Sequence, residues 1–405
     1  MSFQLAALAL AVTVATADDW PEYRGPRGDG RTPVRDLPLT WSEDENVTWK
    51  VPIAGRGWST PAIGGGRIWL TTSLDDGRRR LAVCLDRETG RTIHAFTLFH
   101  VRRPEPCHGL NSYASPSPVL RGGRVFVHFG GVGTACLDAR TAREIWVRRD
   151  LPLEHVVGSA SSPILVGDHL IFHQDGANRQ YVIALDAGTG ETRWVAPRSP
   201  RLFDRHREHR KAFSTPLRVD GRDGTSLVSV GAGATVGLDP SDGRELWRVL
   251  HDGYSGASRP VAALGLTIFS TGFDVADLVA VRIADAREIW RYERNVPWIT
   301  SPVVVGDLLF MVSYPGIATC LEVRTGERVW RRRLGGEFCA SPLAASGRAY
   351  LFDREGTCTV VAADRDGSIL AENRLDEGMM ASPAVADGAL FLRTTGHLYR
   401  IDAPR

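Results

Sequence analysis

The phrase Ala184-Leu185-Asp186-Ala187-Gly188-Thr189-Gly190-Glu191-Thr192-Arg193-Trp194 recurs along the chain. A phrase that returns at a near-fixed spacing dictates a repeat architecture before any other feature is weighed. Each copy reads as the end of an apolar strand, a tight turn and a returning strand. Asp186 can bond the turn backbone, and Gly190 can take the positive φ that such turns demand. Cys136-Leu137-Asp138 leads to Trp146, Gly237-Leu238-Asp239 to Trp247, Ala280-Val281-Arg282 to Trp290 and Cys320-Leu321-Glu322 to Trp330. In each, the third residue precedes the Trp by eight. Two copies are degenerate: Cys84-Leu85-Asp86 arrives at His94, and Ala363-Asp364 arrives one residue short at Ala371.

A small residue followed by Pro opens each unit, at Pro61, Pro118, Pro163, Pro216, Pro260, Pro302, Pro342 and Pro383. The spacings are 57, 45, 53, 44, 42, 40 and 41 residues. Each unit reads as four short strands. In the sixth they are Ile299–Val304, Leu308–Ser313, Ile317–Glu322 and Arg328–Arg333, with turns at Gly306-Asp307, Pro315-Gly316 and Thr325-Gly326. The last unit, 381–402, has strands Ala389–Arg393 and His397–Ile401 but no Trp strand. Residues Asn46 to Val51, carrying Trp49, look like that missing strand. The chain is therefore expected to be an all-β, eight-bladed β-propeller of four-stranded antiparallel blades, its ring closed by the N-terminal strand around Trp49.

Residues 1–17 read as a signal peptide: Leu5 to Val14 is apolar and Ala15-Thr16-Ala17 is an A-x-A cleavage site. The remainder, 18–405, reads as a single domain in which 18–45 is an ordered N-terminal arm rich in Pro, Gly and aromatics. No other segment approaches the roughly eighteen apolar residues of a transmembrane helix. A net charge of +2 carries no clustered basic footprint for nucleic acid. Of 49 basic residues only Lys50 and Lys211 are lysines. Cys84, Cys136 and Cys320 share one repeat position, where a small buried side chain is expected. Cys107, Cys339 and Cys358 show no obvious pairing.

The Ala-x-Asp-x-x-Thr-Gly-x-x-x-Trp phrase resembles the docking motif of pyrroloquinoline-quinone (PQQ) repeat propellers, over residues 19–405. That group holds quinoprotein alcohol dehydrogenases and the propeller lipoprotein of bacterial outer-membrane β-barrel assembly. The chain also resembles exported PQQ-like repeat proteins of the planctomycete type, which open with a Trp-Pro-x-Tyr/Phe-Arg-Gly-Pro arm like residues 20–26. The resemblance implies one of two activities. One is a binding scaffold for a protein partner in the cell envelope, periplasmic or secreted, monomeric and without cofactor. The other is a dehydrogenase with PQQ and calcium. Against the second, the chain lacks the adjacent cysteine pair and the long inter-blade insertions of those enzymes. No acylation Cys follows the apolar run, which departs from the lipoprotein pattern.

The once-per-blade recurrence of Trp146, Trp194, Trp247, Trp290 and Trp330 points to wedges between blades rather than to a ligand platform. Ligand-binding candidates come instead from stretches that break the repeat. His108, Asn111 and Tyr113 lie before the second blade and should line a mouth of the axial channel, or plug it. His155, Tyr254 and Arg259 precede or open other blades. Arg259 replaces the small residue before Pro260, so its guanidinium is expected either to face the channel and bind an anion or to pair with an acid. Phe213, Ser214, Gln174 and Asp175 are weaker candidates, and aromatic residues such as Tyr113 and Tyr254 leave carbohydrate binding open. The run Arg198, Arg201, Arg205, His206, Arg207, His209, Arg210, Lys211 reads as a charged surface loop. No catalytic set and no metal site is assigned.

Overall fold

The computed structural model describes residues 19–221, 224–274 and 276–404. The signal-peptide reading for 1–17 lies outside the described residues. Eight four-stranded antiparallel sheets succeed one another along the chain. Blades 1 to 7 span 62–100, 119–148, 164–197, 217–250, 261–292, 303–333 and 343–374. Blade 8 takes three strands from 384–401, and its fourth is Val47–Pro52. That strand pairs antiparallel with His397–Ile401, placing Trp49 opposite Arg400. The innermost strand of blade 1, Ala62–Gly64, lies beside those of both blade 2 and blade 8.

Blade interiors explain the strand composition. Leu308–Val312 is buried at every position because neighbouring blades cover both its faces. The outermost strands alternate, as in Arg328–Arg333, where one face meets water. Blade 6 keeps the expected strands except the first, which is only Val303–Val305. Pro302 has no N–H, and the Ser301 N–H bonds the Ser341 hydroxyl of blade 7 instead of a ladder partner.

The repeat phrase has one local logic. The Asp186 Oδ1 accepts the N–H groups of Gly188 and Thr189 at 2.8 and 2.7 Å. Gly190, at φ 78°, then donates to the Asp186 carbonyl. The third-to-fourth strand pairing slips by one residue just before this turn, at Ala184/Leu185 and at the equivalent point of blades 1 to 7. Such a bulge sharpens the local twist. Cys84, Cys136 and Cys320 are fully buried, and all six cysteines are free thiols.

The small residue before each opening Pro is nearly always a hydroxyl. Six of these positions link neighbouring blades: the backbone N–H of Thr60, Ser117, Ser162, Arg259, Ser301 and Ser341 donates to the hydroxyl of Ser117, Ser162, Thr215, Ser301, Ser341 and Ser382, at 2.9–3.0 Å. This necklace around the axis stands in for sheet bonds that the following Pro cannot make.

Candidate functional site

In a four-stranded antiparallel blade, the inter-blade connections and the second turn share one face of the disc. The first and third turns, including the Thr-Gly turns, share the other. These are the upper and lower faces below.

The arm closes the lower face. Trp20 exchanges backbone bonds with Ile63 of blade 1, Pro21 accepts from Leu120 of blade 2, and Gly30 accepts from Ala344 of blade 7, so the segment crosses the axis. The Tyr23 hydroxyl reaches the Ser341 hydroxyl at 3.1 Å. Arg24 is buried, its guanidinium bonded to the carbonyls of Asp29, Ser301, Pro302 and Pro342. Arg259 is buried beneath the arm, not turned to the channel. It pairs with Glu22 at 3.1 Å and donates to the Tyr23 and Pro216 carbonyls. Of the two expectations for Arg259, pairing with an acid is the one observed. A side chain on Gly28 would stand 2.4 Å from that guanidinium.

The upper face holds a bowl of about 420 Å³, and Tyr23 of the arm lies on its wall. The hydroxyls of Ser117, Ser162, Thr215 and Ser382 also line it. A line of rings from the inter-blade connections and second turns runs along it. His209 stacks on Tyr254 at 4.2 Å, Tyr254 meets Phe273 at 5.9 Å, and Phe273 meets Trp298 edge-on at 4.9 Å. Trp298 then approaches Tyr314 at 6.1 Å. Phe273 is 42% exposed. Trp58 and Phe213 line the bowl as well. Lys211, one of the two lysines, is buried in its wall and paired to Glu208, whose carboxyl it holds below the ordinary range.

The sequence candidates divide. His108, Asn111, Tyr254 and Phe213 line the bowl. Asn111 spends its amide on the Val157 carbonyl and its oxygen on Ser112 and Ser115. Tyr113 and His155 are not on the bowl. They line a separate cavity of about 240 Å³ beside blades 1 and 2. The Tyr113 hydroxyl donates to the Glu105 carbonyl, and His155 Nε2 accepts from Gly131. Gln174 and Asp175 lie buried within blade 3, Asp175 held by Arg198 at 2.7 Å. The charged run is not a simple solvated loop. It forms two short 3-10 turns, Pro200–Asp204 and Arg207–Arg210, and buries Lys211.

Residues missed by the sequence reading are Trp58, His209, Phe273, Trp298, Tyr314 and Lys211. A signal existed for two: Trp58 and Trp298 stand three and four residues ahead of an opening Pro, as Phe213 does three ahead of Pro216. Trp247 departs from the other docking rings. Among the described residues its indole N–H makes no bond to the next blade's turn, and the ring instead covers Gly237 of its own blade, where an added Cβ would stand 2.1 Å from its Nε1.

Ser229, His173 and Asp175 place three groups of nucleophilic catalysis together, with Ser229 Oγ 2.8 Å from His173 Nε2. All three are buried, and Asp175 lies 3.9 Å from His173 while bonded to Arg198. None of the three lines the bowl or the smaller cavity. The bowl's donors do not fit a calcium–quinone pair either: the one carboxylate on its wall, Glu208, is committed to Lys211. Nor are Tyr113 and Tyr254 presented together for a sugar, because Tyr113 lies under Arg80 and Tyr254 under His209.

Blades docked by Trp onto Thr-Gly turns, a hydroxyl necklace and a ring closed by the chain's two ends define a PQQ-repeat propeller. The family model described as outer membrane protein assembly factor BamB matches residues 40–236, 232–358 and 315–404, and the chain belongs to that family. The assembly factor BamB of Yersinia pestis is 24% identical over 303 residues, covering 69% of this chain and 71% of that protein. The crystal structure of BamB from Moraxella catarrhalis superposes with a TM-score of 0.63 at 15% identity, over 88% of this chain and 97% of that one. Quinohemoprotein alcohol dehydrogenase from Comamonas testosteroni gives 0.69 at 12%, over 96% and 81%. At such identities the structural matches speak for the fold alone.

Proposed function

We propose that the protein is an exported, monomeric scaffold that holds a polypeptide partner of the cell envelope on its upper face, in the service of outer-membrane assembly as its relatives' name implies. The observation that supports this most is the continuous line of rings His209, Tyr254, Phe273, Trp298 and Tyr314 across blades 4 to 6. Aromatic side chains dominate the energetic centres of protein interfaces, and an exposed Phe fixed by its neighbours presents area at low entropic cost.

A Phe273→Ser, Trp298→Ala double variant tests the reading. Affinity chromatography from envelope extracts is expected to lose its outer-membrane partner at least tenfold, with the melting temperature nearly unchanged. Undiminished recovery of the partner by a folded double variant would contradict it.

A further inference from the structure

Arg24, Arg80, Arg259 and Arg393 are each 3% exposed or less. A buried guanidinium needs acceptors for its donors, and an uncompensated buried charge is costly. Arg24 has four carbonyls. Arg259 has the Glu22 carboxylate and two carbonyls. Arg393 staples blade 8 to blade 1 through the Ser59 carbonyl and hydroxyl and the Thr71 carbonyl. Arg80 differs. Among the described residues its guanidinium donates to the Gly77 carbonyl alone, and its Nε, like that of Arg24, is buried without a partner. Among the described residues no carboxylate lies within 4.0 Å of it. The Tyr113 ring lies 4.4 Å from the guanidinium carbon.

Arg80 lines the 240 Å³ cavity, which is separate from the bowl. Arg103 lines it too, exposed and without a carboxylate partner. His155 contributes no charge at neutral pH, since burial lowers its pKa to about 4. Ser159 lies on the same wall. Glu105 is the lone carboxylate there, and its Oε2 accepts the N–H groups of His155 and Val156. Two guanidinium groups thus face one carboxylate that is already engaged.

We propose that this cavity binds a small oxyanion, whose oxygens supply the acceptors that Arg80 lacks. Carboxylate and phosphate share that chemistry. A guanidinium presents a fork of donors that a carboxylate or phosphate takes two at a time, and Arg103 adds charge at the rim. The inference is independent of the partner proposed for the bowl.

The test is calorimetric titration of the mature protein with sodium acetate and, separately, inorganic phosphate, against chloride at matched ionic strength. Saturable binding beyond chloride is expected, weakened at least tenfold in Arg80→Gln and in Ser159→Leu, which fills the cavity while keeping the cation. Tighter acetate assigns a carboxylate; tighter phosphate assigns a phosphoryl group. Absence of saturable binding by either anion would overturn the proposal. So would unchanged affinity in whichever of the two variants folds.

Discussion

Trp146 of blade 2 donates its indole N–H to the carbonyl of Ala187 in blade 3, 3.0 Å away, and its ring lies where a side chain on Gly190 would stand. The recurrent Trp and the recurrent Gly are two halves of one contact made between blades. Trp194 repeats it on Pro240 and Gly243, Trp290 on Val323 and Gly326, and Trp330 on Asp364 and Gly367. Trp49 covers Gly90, so the N-terminal strand seats its ring in the same place, but its indole N–H is buried without a partner. Each of the four bonded contacts satisfies an indole donor and covers a large ring.

Gly190→Ala should therefore be costly. Its Cβ would lie 2.7 Å from the Trp146 ring, at φ 78°. Left-handed strain of about 1–2 kcal/mol adds to overpacking of about 1–3 kcal/mol. Gly66→Ala, at φ 74° with open space around the Cβ, should show the strain alone. Urea unfolding of both variants gives the comparison, and equal losses would refute the docking account.

Blade 5 has Ala286 at the turn position, at φ 55°, and there Trp247 folds over Gly237 instead. His94 likewise faces a turn with Ala142 at φ 61°. Gly237→Ala alone should expel Trp247 and destabilise by roughly 2–4 kcal/mol, as overpacking and a lost ring contact do. Adding Ala286→Gly opens the docking seat used elsewhere. A double-mutant cycle should show coupling of about 1 kcal/mol or more in the stabilising direction. Strict additivity would mean that the turn residue does not decide where the ring goes.

The fold and half of the site were legible for different reasons. Blade number, strand limits such as His397–Ile401 and the docking role of Trp194 follow from residues that recur, because one physical task is repeated in each unit. Phe273, Trp298 and His209 occur once each, in turns and connections of unequal length, and only the folded ring brings them together. Arg259 was visible as an exception to the small-Pro rule. Its partner Glu22, more than two hundred residues away, was not, because the arm's path across the axis has no periodic signature. Tyr113 and His155 sit close to the bowl's residues in sequence yet face another cavity, a matter of local loop folding.

Acid should unfold the protein in two stages. Burial lowers His128 to about 3, and His155 and His251 to about 4, from an ordinary 6.5. Depressed folded values mean stability that is complete above 6.5 and lost as pH falls towards 4. The turn aspartates Asp86, Asp138, Asp186 and Asp239 are also held low, Asp186 to about 2, chiefly by Arg193. Their contribution is lost below an ordinary 3.8. Glu22 and Asp175, raised by burial, act in the opposite sense and temper the loss. The urea midpoint should decline between pH 6.5 and 4, and His155→Gln should flatten part of that slope. A midpoint constant over the range would be inconsistent with buried neutral histidines.

Arg259→Met leaves Glu22 buried without its cation and should cost about 3–5 kcal/mol. The local consequence is sharper: the arm should detach before the ring opens. Trypsin is expected to cut at Arg24 in this variant under conditions where the parent protein resists. Equal resistance would show that the pair does not hold the arm.

The upper face as the partner surface is tested most directly by site-specific photo-crosslinking in living cells. A photoreactive residue at Phe273 is compared with one at Arg35, which lies by the first turn of blade 7 on the lower face. The account predicts a discrete adduct with an outer-membrane polypeptide at position 273 and none at 35. No adduct at 273, or the same adduct from both positions, would contradict it.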